Sequence, residues 1–279
     1  MAHVGPVSTM TTPARAVVSQ FLKRLPCFSP VAVRLMSLVA DENVSFKEVA
    51  KLIALDPALS GETLRMANSG QYGRRSEIQS VLHAIAMVGL QRVTSLVVTT
   101  ALWRGMPNRT SPFMKAWWRH SVAAALIAEH TAVLPTDYAY TAGLLHGVGQ
   151  LALFEHGAQN YLRLVNDSVE NGLDLQENER AAYGTDHAEL AGLILQTWGL
   201  PEVMQDAAAL HHWPNPGTEL AELVQIGCAA AEHIGFGACG CHRQLAAEDF
   251  SAPLAEVIEK KHLLEVVATE VNSIECSLM

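Results

Sequence analysis

No apolar stretch of the sequence reaches the roughly 18–20 residues that a membrane-spanning helix needs. The longest candidates, VTSLVVTTALW and VAAALIA, are short and lie between charged residues. The N-terminal MAHVGPVSTMTTPAR has no charged segment followed by an apolar one, so we expect no secretory signal. Five cysteines are an odd number, which argues against a disulfide framework and favours a reducing, cytoplasmic setting.

Basic residues are also scarce. The chain has 19 Lys and Arg against 28 Asp and Glu, so its net charge is −9. A broad phosphate-binding face needs a surplus of basic residues, and we therefore expect no nucleic-acid partner. The sequence has no phosphate-binding loop, no dinucleotide-binding glycine pattern and no nucleophile elbow, which excludes the commonest nucleotide-binding and hydrolase motifs.

The pattern of apolar residues along the sequence is mainly helical. Apolar residues make up 49% of the 279 residues and recur every three or four positions, while strand-like alternation is almost absent, so the predicted fold is all-α. Local signals mark helix starts, including a capping box at Ser45–Glu48, Asp56 before Pro57, and Thr185–Asp186. The predicted helices span 14–24, 30–40, 46–55, 57–67, 78–87, 90–104, 112–133, 137–153, 156–171, 175–182, 186–197, 201–211, 217–235 and 252–274.

The first 14 residues have little periodicity and are interpreted as a mobile tail. Residues 15–235 are predicted to form one helical domain, with an N-terminal bundle over about 15–110 and a core over about 111–235. The glycine-rich stretch after residue 235 predicts a loop, so residues 236–279 are interpreted as a loop and a C-terminal helix.

Several blocks, in order, resemble one known family. The strongest is DPALSGETLRMANSGQYG (56–73), followed by IQSVLHAIAMVGLQRVTSLV (78–97), WWRHSVAAALIAE (117–129), AYTAGLLHGVGQLAL (139–153) and HAELAGLILQTWGLPEVMQDAAALHH (187–212). Over about 25–215 the chain resembles the HDOD domain, an HD-related output domain of bacterial signalling proteins. The resemblance implies an N-terminal helical bundle packed on a core similar to that of HD-type metal phosphohydrolases. It also implies a non-catalytic role through contacts with signalling proteins.

The resemblance allows the metal site of HD hydrolases to be checked residue by residue. The first histidine of that site matches His120, and the His-Asp pair matches His146 and Gly147, so the carboxylate is missing. The later Asp is expected near Gly227–Cys228, where no Asp occurs, and Glu232 lies about one helical turn further on. Hard divalent cations prefer carboxylate oxygens, so two imidazoles alone form a poor site for Mg²⁺ or Mn²⁺.

Other histidines allow two interpretations. Together with His120 and His146, the residues His187, His211 and His212 can form a His-rich pocket suited to Zn²⁺ or Ni²⁺. Alternatively, they are core and cap residues that are hydrogen-bonded within the protein. The second interpretation is favoured, so we expect a vestigial pocket with no catalytic residue, no cofactor and no resident metal beyond adventitious divalent ions. The Cys-Gly-Cys-His run at 239–242 has a spacing too tight for a structural zinc site.

Trp117 and Trp118 are the candidates for partner binding. Consecutive helical residues point about 100° apart, so both rings cannot face one strip of the core. The favoured interpretation is that both pack at the junction of two helical subdomains, and the alternative is that one ring anchors a partner protein.

Two alternative functions remain open. One is a metal-dependent phosphohydrolase with a rearranged His-rich site. The other is a nucleotide or cyclic-dinucleotide receptor that uses Arg74, Arg75, Arg104 and Arg119.

Overall fold

The computed structural model describes residues 19–20, 30–39, 44–68, 78–106, 108–132, 138–237 and 252–278. Every regular element in these ranges is an α-helix, which confirms the predicted all-α fold. The predicted tail at 1–14, most of the predicted helix at 14–24, and the run at 239–242 lie outside the described residues.

The N-terminal part contains five described helices. Two of them begin at the predicted caps: the Glu48 N–H donates to Ser45 Oγ at 3.3 Å, and the Ala58 N–H donates to Asp56 Oδ1 at 3.0 Å. These contacts satisfy main-chain donors that the first helical turn leaves without partners. The helices are α1 (Pro30–Val39), α2 (Phe46–Ile53), α3 (Pro57–Ala67), α4 (Val81–Val88) and α5 (Leu90–Gly105).

The second group of helices surrounds one long central helix. Residues 120–128 of this helix, α6, are all buried. An ideal Cβ added to Gly143 would lie 2.7 Å from Ala125 Cα, and one added to Gly227 would lie 2.5 Å from Ala124 O. These glycines therefore allow the neighbouring backbones to reach α6. The helices of this group are α6 (Pro112–Thr131), α7 (Ala139–Leu145), α8 (Val148–Asn171), α9 (Leu175–Tyr183), α10 (His187–Thr197), α11 (Glu202–Leu210) and α12 (Glu219–His233).

The boundary predicted between 153 and 156 lies close to a kink at Gly157, but a further break at His146 and Gly147 was not predicted. Helix α7 ends at Leu145 and α8 begins at Val148, so the break falls at His146 and Gly147. The sequence near 155 lies within α8, which bends at Gly157. The earlier break follows from Gly147, whose φ of −87° and ψ of 6° lie outside the helical range. This turn holds the His146 ring in the interior.

The predicted last helix at 252–274 consists of two helices, α13 (Ala252–Glu259) and α14 (Lys261–Leu278). The interruption at Lys260 lets α13 pack on α12 while α14 packs on α6. Arg119 Nη1 of α6 donates to Glu275 Oε2 at 3.0 Å, and Trp103 Nε1 donates to the Leu278 carbonyl at 3.2 Å. The C-terminal helices are therefore joined to the core by both apolar and polar contacts.

Among the described helices, none is long and apolar enough by itself to cross a membrane. The pair α4 and α5 meets the length and composition criteria only when taken together, across a bend of 119°.

Candidate functional site

Five histidines, which we call the histidine row, lie side by side in the interior. The ring centroids are 5.2 Å apart for His120 and His146, 4.8 Å for His146 and His211, and 5.9 Å for His211 and His187. The His212 ring lies 5.0 Å from that of His187. The first four residues are at most 3% exposed, and His212 is half-buried. The structure thus brings together all five histidines of the predicted pocket.

Main-chain carbonyls orient three of these rings. A carbonyl oxygen can only accept a hydrogen bond, so the ring nitrogen that contacts it carries the proton. When such a ring is neutral, its Nε2 atom is a lone-pair acceptor, the form in which imidazole binds metals. The three Nδ1 contacts are His120 to Phe236 at 2.8 Å, His146 to Gly143 at 2.5 Å and His211 to Ala208 at 2.8 Å.

A buried carboxylate orients the fourth ring. Glu179 Oε2 accepts from His187 Nδ1 at 2.6 Å and from the His187 main-chain N–H at 2.8 Å, while Oε1 accepts from the Tyr161 hydroxyl at 2.7 Å. Burial lowers the pKa of His187, but the charge and hydrogen bond of Glu179 outweigh it, so the pKa is raised from its ordinary value. Sequence analysis missed Glu179, although a carboxylate behind an imidazole is a recurrent support for a ligating ring.

The other buried rings are held neutral. Burial, together with the neighbouring His120, lowers the pKa of His146 to about 3. Burial and His212 hold the pKa of His211 well below its ordinary value, and burial and His187 do the same for His212. These rings are therefore neutral at physiological pH.

The space beside His146 is filled by an indole. Trp117 Nε1 donates to the Gly147 carbonyl at 2.9 Å, and a Cβ added to Gly147 would lie 2.9 Å from the same nitrogen. Trp117 thus occupies the space that an aspartate side chain at position 147 would need. The residues at this position do not fit a pair of hard divalent cations, which require bridging carboxylate oxygen.

The position of the later Asp is taken by a thiol. Cys228 Sγ lies 3.6 Å from His120 Nε2, and burial and the nearby Glu232 raise the thiol pKa well above its ordinary value. Burial also raises the pKa of Glu232 to about 8, and the charge of His187 partly opposes this. Cys228 therefore lies in the same pocket as the histidine row, and Glu232 is near enough to interact electrostatically with Cys228 and His187.

Trp117 and Trp118 both pack in the interior, in agreement with the favoured interpretation, and neither ring is an exposed anchor. The two side chains are 0% and 1% exposed. Both can be buried at adjacent helical positions because α6 is covered on several sides: the Trp117 ring reaches Gly147, and the Trp118 ring lies 5.1 Å from that of Trp103.

The structure describes two of the four arginines suggested for a nucleotide receptor. Arg119 contacts Glu275 and Asn272 on α14, and Arg104 is exposed. Arg74 and Arg75 lie outside the described residues.

Comparison with known sequences gives one family. The sequence profile of the HDOD domain matches residues 25–214, which is more than half of the chain. An uncharacterized protein of Treponema pallidum (strain Nichols) is 22% identical over 236 residues, which are 82% of this chain and 46% of that protein. The chain thus spans about half the length of this curated relative.

Solved structures share the fold. An HDOD domain protein of unknown function from Geobacter sulfurreducens is 23% identical, with a TM-score of 0.67 over 94% of this chain and 95% of that one. A protein from Shewanella amazonensis, provisionally named a phosphohydrolase, is 22% identical, with a TM-score of 0.69 over 95% and 98%. A protein from Marinobacter aquaeolei, provisionally named a signal transduction protein, is 20% identical, with a TM-score of 0.67 over 98% and 67%. At these identities the structures establish the fold alone, and the matched profile establishes that the chain belongs to the HDOD domain family.

Proposed function

We propose that this chain is a non-catalytic regulatory module of bacterial signal transduction, which acts in the cytoplasm through contacts with other proteins. The observation that carries the proposal is the Trp117 indole at Gly147. In an HD hydrolase this place holds a carboxylate that bridges the metal ions, whereas here an apolar ring fills it and donates to the main chain. Membership of the HDOD family supports the same conclusion.

Burial of the histidine row also supports a non-catalytic role. A phosphodiester substrate has to contact the catalytic groups directly, and His120 and His146 are only 3% and 2% exposed. Each ring donates its Nδ1–H to a main-chain carbonyl, which is how packed polar groups in a protein interior are satisfied. This weighs against the alternative of a phosphohydrolase with a rearranged site, which the provisional name of the Shewanella protein would suggest.

Genetic complementation tests the proposed function. In a strain that lacks the gene, we expect the His146→Gln variant to restore the wild-type transcript profile, because protein contacts do not require the His146 ring. Protein abundance, measured by immunoblot, controls for folding. If a variant at wild-type abundance fails to restore the profile, the pocket itself performs the function and the proposal is wrong.

A further inference from the structure

Two imidazoles and one thiol converge at one end of the histidine row. His120 comes from the middle of α6, His146 from the turn between α7 and α8, and Cys228 from α12. The donor atoms His120 Nε2, His146 Nε2 and Cys228 Sγ all lie within 4.8 Å of one another, and all three residues are buried. Three elements that are far apart in sequence thus present their ligand atoms to a common point.

The ring nitrogens face this point as acceptors. Both Nδ1–H groups are used by main-chain carbonyls, those of Phe236 and Gly143. The two Nε2 atoms nevertheless lie only 3.2 Å apart. Two lone pairs at this distance repel one another unless a proton or a metal ion lies between them, and a metal ion bound by both rings removes the repulsion without protonation of either ring.

The distances match those of tetrahedral zinc. Zinc binds imidazole nitrogen at about 2.0–2.1 Å and thiolate sulfur at about 2.3 Å, so a tetrahedral angle places two nitrogens about 3.3 Å apart and a nitrogen and a sulfur about 3.6 Å apart. The observed separations are 3.2 Å for the two Nε2 atoms and 3.6 Å for Cys228 Sγ and His120 Nε2. Two of the three donor separations are therefore close to those of a tetrahedral zinc site, and the third, between His146 Nε2 and Cys228 Sγ, is at most 4.8 Å.

The composition of the donor set also selects the metal. A thiolate with two imidazoles favours Zn²⁺ over Mg²⁺ and Mn²⁺, which prefer oxygen. Gly227 contributes to the geometry: since its missing side chain lets α12 approach the Ala124 carbonyl, the short Cys228 side chain can reach His120.

We propose that His120, His146 and Cys228 bind one Zn²⁺ ion, with the thiol proton released on binding. This site differs from the metal site implied by the family resemblance, because a thiolate replaces carboxylate ligands and no bridging aspartate is present. A zinc ion enclosed here joins α6, the turn between α7 and α8, and α12. The proposal is independent of the proposed function, since an ion in a closed pocket can stabilise helix packing without any turnover.

Metal content of the full-length chain tests the proposal. The protein is purified without chelators from cells grown with added zinc or, separately, with cobalt. We expect about one zinc per chain by elemental analysis, and a thiolate-to-cobalt absorption band together with the intense visible bands of tetrahedral Co²⁺. Loss of a hydrogen bond that supports a metal ligand weakens metal binding by roughly 10- to 100-fold. Because Cys228→Ser and His146→Gln remove the ligands themselves, each variant should weaken zinc binding by more than this.

Matched controls identify the sulfur ligand. Cys276 is exposed on α14, so Cys276→Ser should keep full zinc content and the thiolate band. The double variant Cys239→Ser/Cys241→Ser should also keep both, since the proposal assigns the thiolate ligand to Cys228. A wild-type protein without stoichiometric zinc, or a thiolate band that persists in Cys228→Ser or is lost in the double variant, would overturn the proposal. The wild-type and double-variant measurements decide the question even if Cys228→Ser does not fold.

Discussion

Replacing Gly149 with alanine is expected to destabilise the protein by about 3 kcal/mol, the upper end of the usual cost of overpacking and a large part of an ordinary native margin of about 5–15 kcal/mol. A Cβ at position 149 would overlap the His187 carbonyl oxygen and come within 2.9 Å of the Ala191 nitrogen. Both atoms belong to the backbone of α10, which cannot rotate away as a side chain can. Helix α10 would have to move away from α8 and carry the His187 ring with it. Urea unfolding followed by circular dichroism measures the loss.

Gly61 provides the matched control. It lies inside α3, is exposed, and has nothing within 4 Å of an added Cβ. Because alanine has a higher helix propensity than glycine, Gly61→Ala should raise the free energy of unfolding by up to about 1 kcal/mol. If Gly149→Ala changed stability by less than about 1 kcal/mol, the close contact between α8 and α10 would be incorrect.

Replacing Glu179 with alanine is expected to cost about 3–5 kcal/mol, because it leaves buried groups without their anionic partner. Glu179 is fully buried and accepts three hydrogen bonds from Tyr161 and His187. The exposed Glu177 lies on the same helix, so Glu177→Ala should change stability by only about 0.5 kcal/mol. Denaturant unfolding of the two variants beside the wild type gives the comparison.

The effect of Glu179→Ala should also depend on pH. Glu179 raises the pKa of His187 above its ordinary value of 6.5. A histidine with a raised native pKa contributes stability that is fully present below about 6.5 and is lost as the pH rises through its native pKa. The difference between wild type and variant should therefore be larger at about pH 6 than at about pH 9. A difference that grows with pH would show that the pairing of His187 with Glu179 is wrong.

The helices could be predicted because apolar periodicity and capping residues are local signals. The capping box at Ser45 and the Asp56 cap were both predicted and are present in the structure. The break at His146 and Gly147 was not predicted, because a glycine in an apolar run fits either close helix packing or a helix end. Only the contact with Trp117 on another helix shows which role Gly147 has.

The sequence predicted which five histidines lie together, but not their order in the histidine row or their hydrogen-bond partners. The support of the row by Glu179 could not be predicted, because α9 has the polar sequence LQENERAAY, which is typical of an exposed helix. Glu179 is buried only when α8, α9 and α10 assemble around it. Cys228 was considered only as the position of a missing Asp, since its contact with His120 depends on the rotation of α12 against α6.

The most direct test of the central claim is a hydrolysis assay on the purified full-length chain. The substrates are a generic phosphodiester, linear nucleotides and cyclic dinucleotides, each with Mg²⁺, Mn²⁺ or Zn²⁺. If Trp117 has replaced the metal-bridging carboxylate, the wild-type rate will equal that of His146→Gln, and Gly147→Asp will gain no activity. Turnover by the wild type that is abolished in His146→Gln would contradict the non-catalytic interpretation of this pocket.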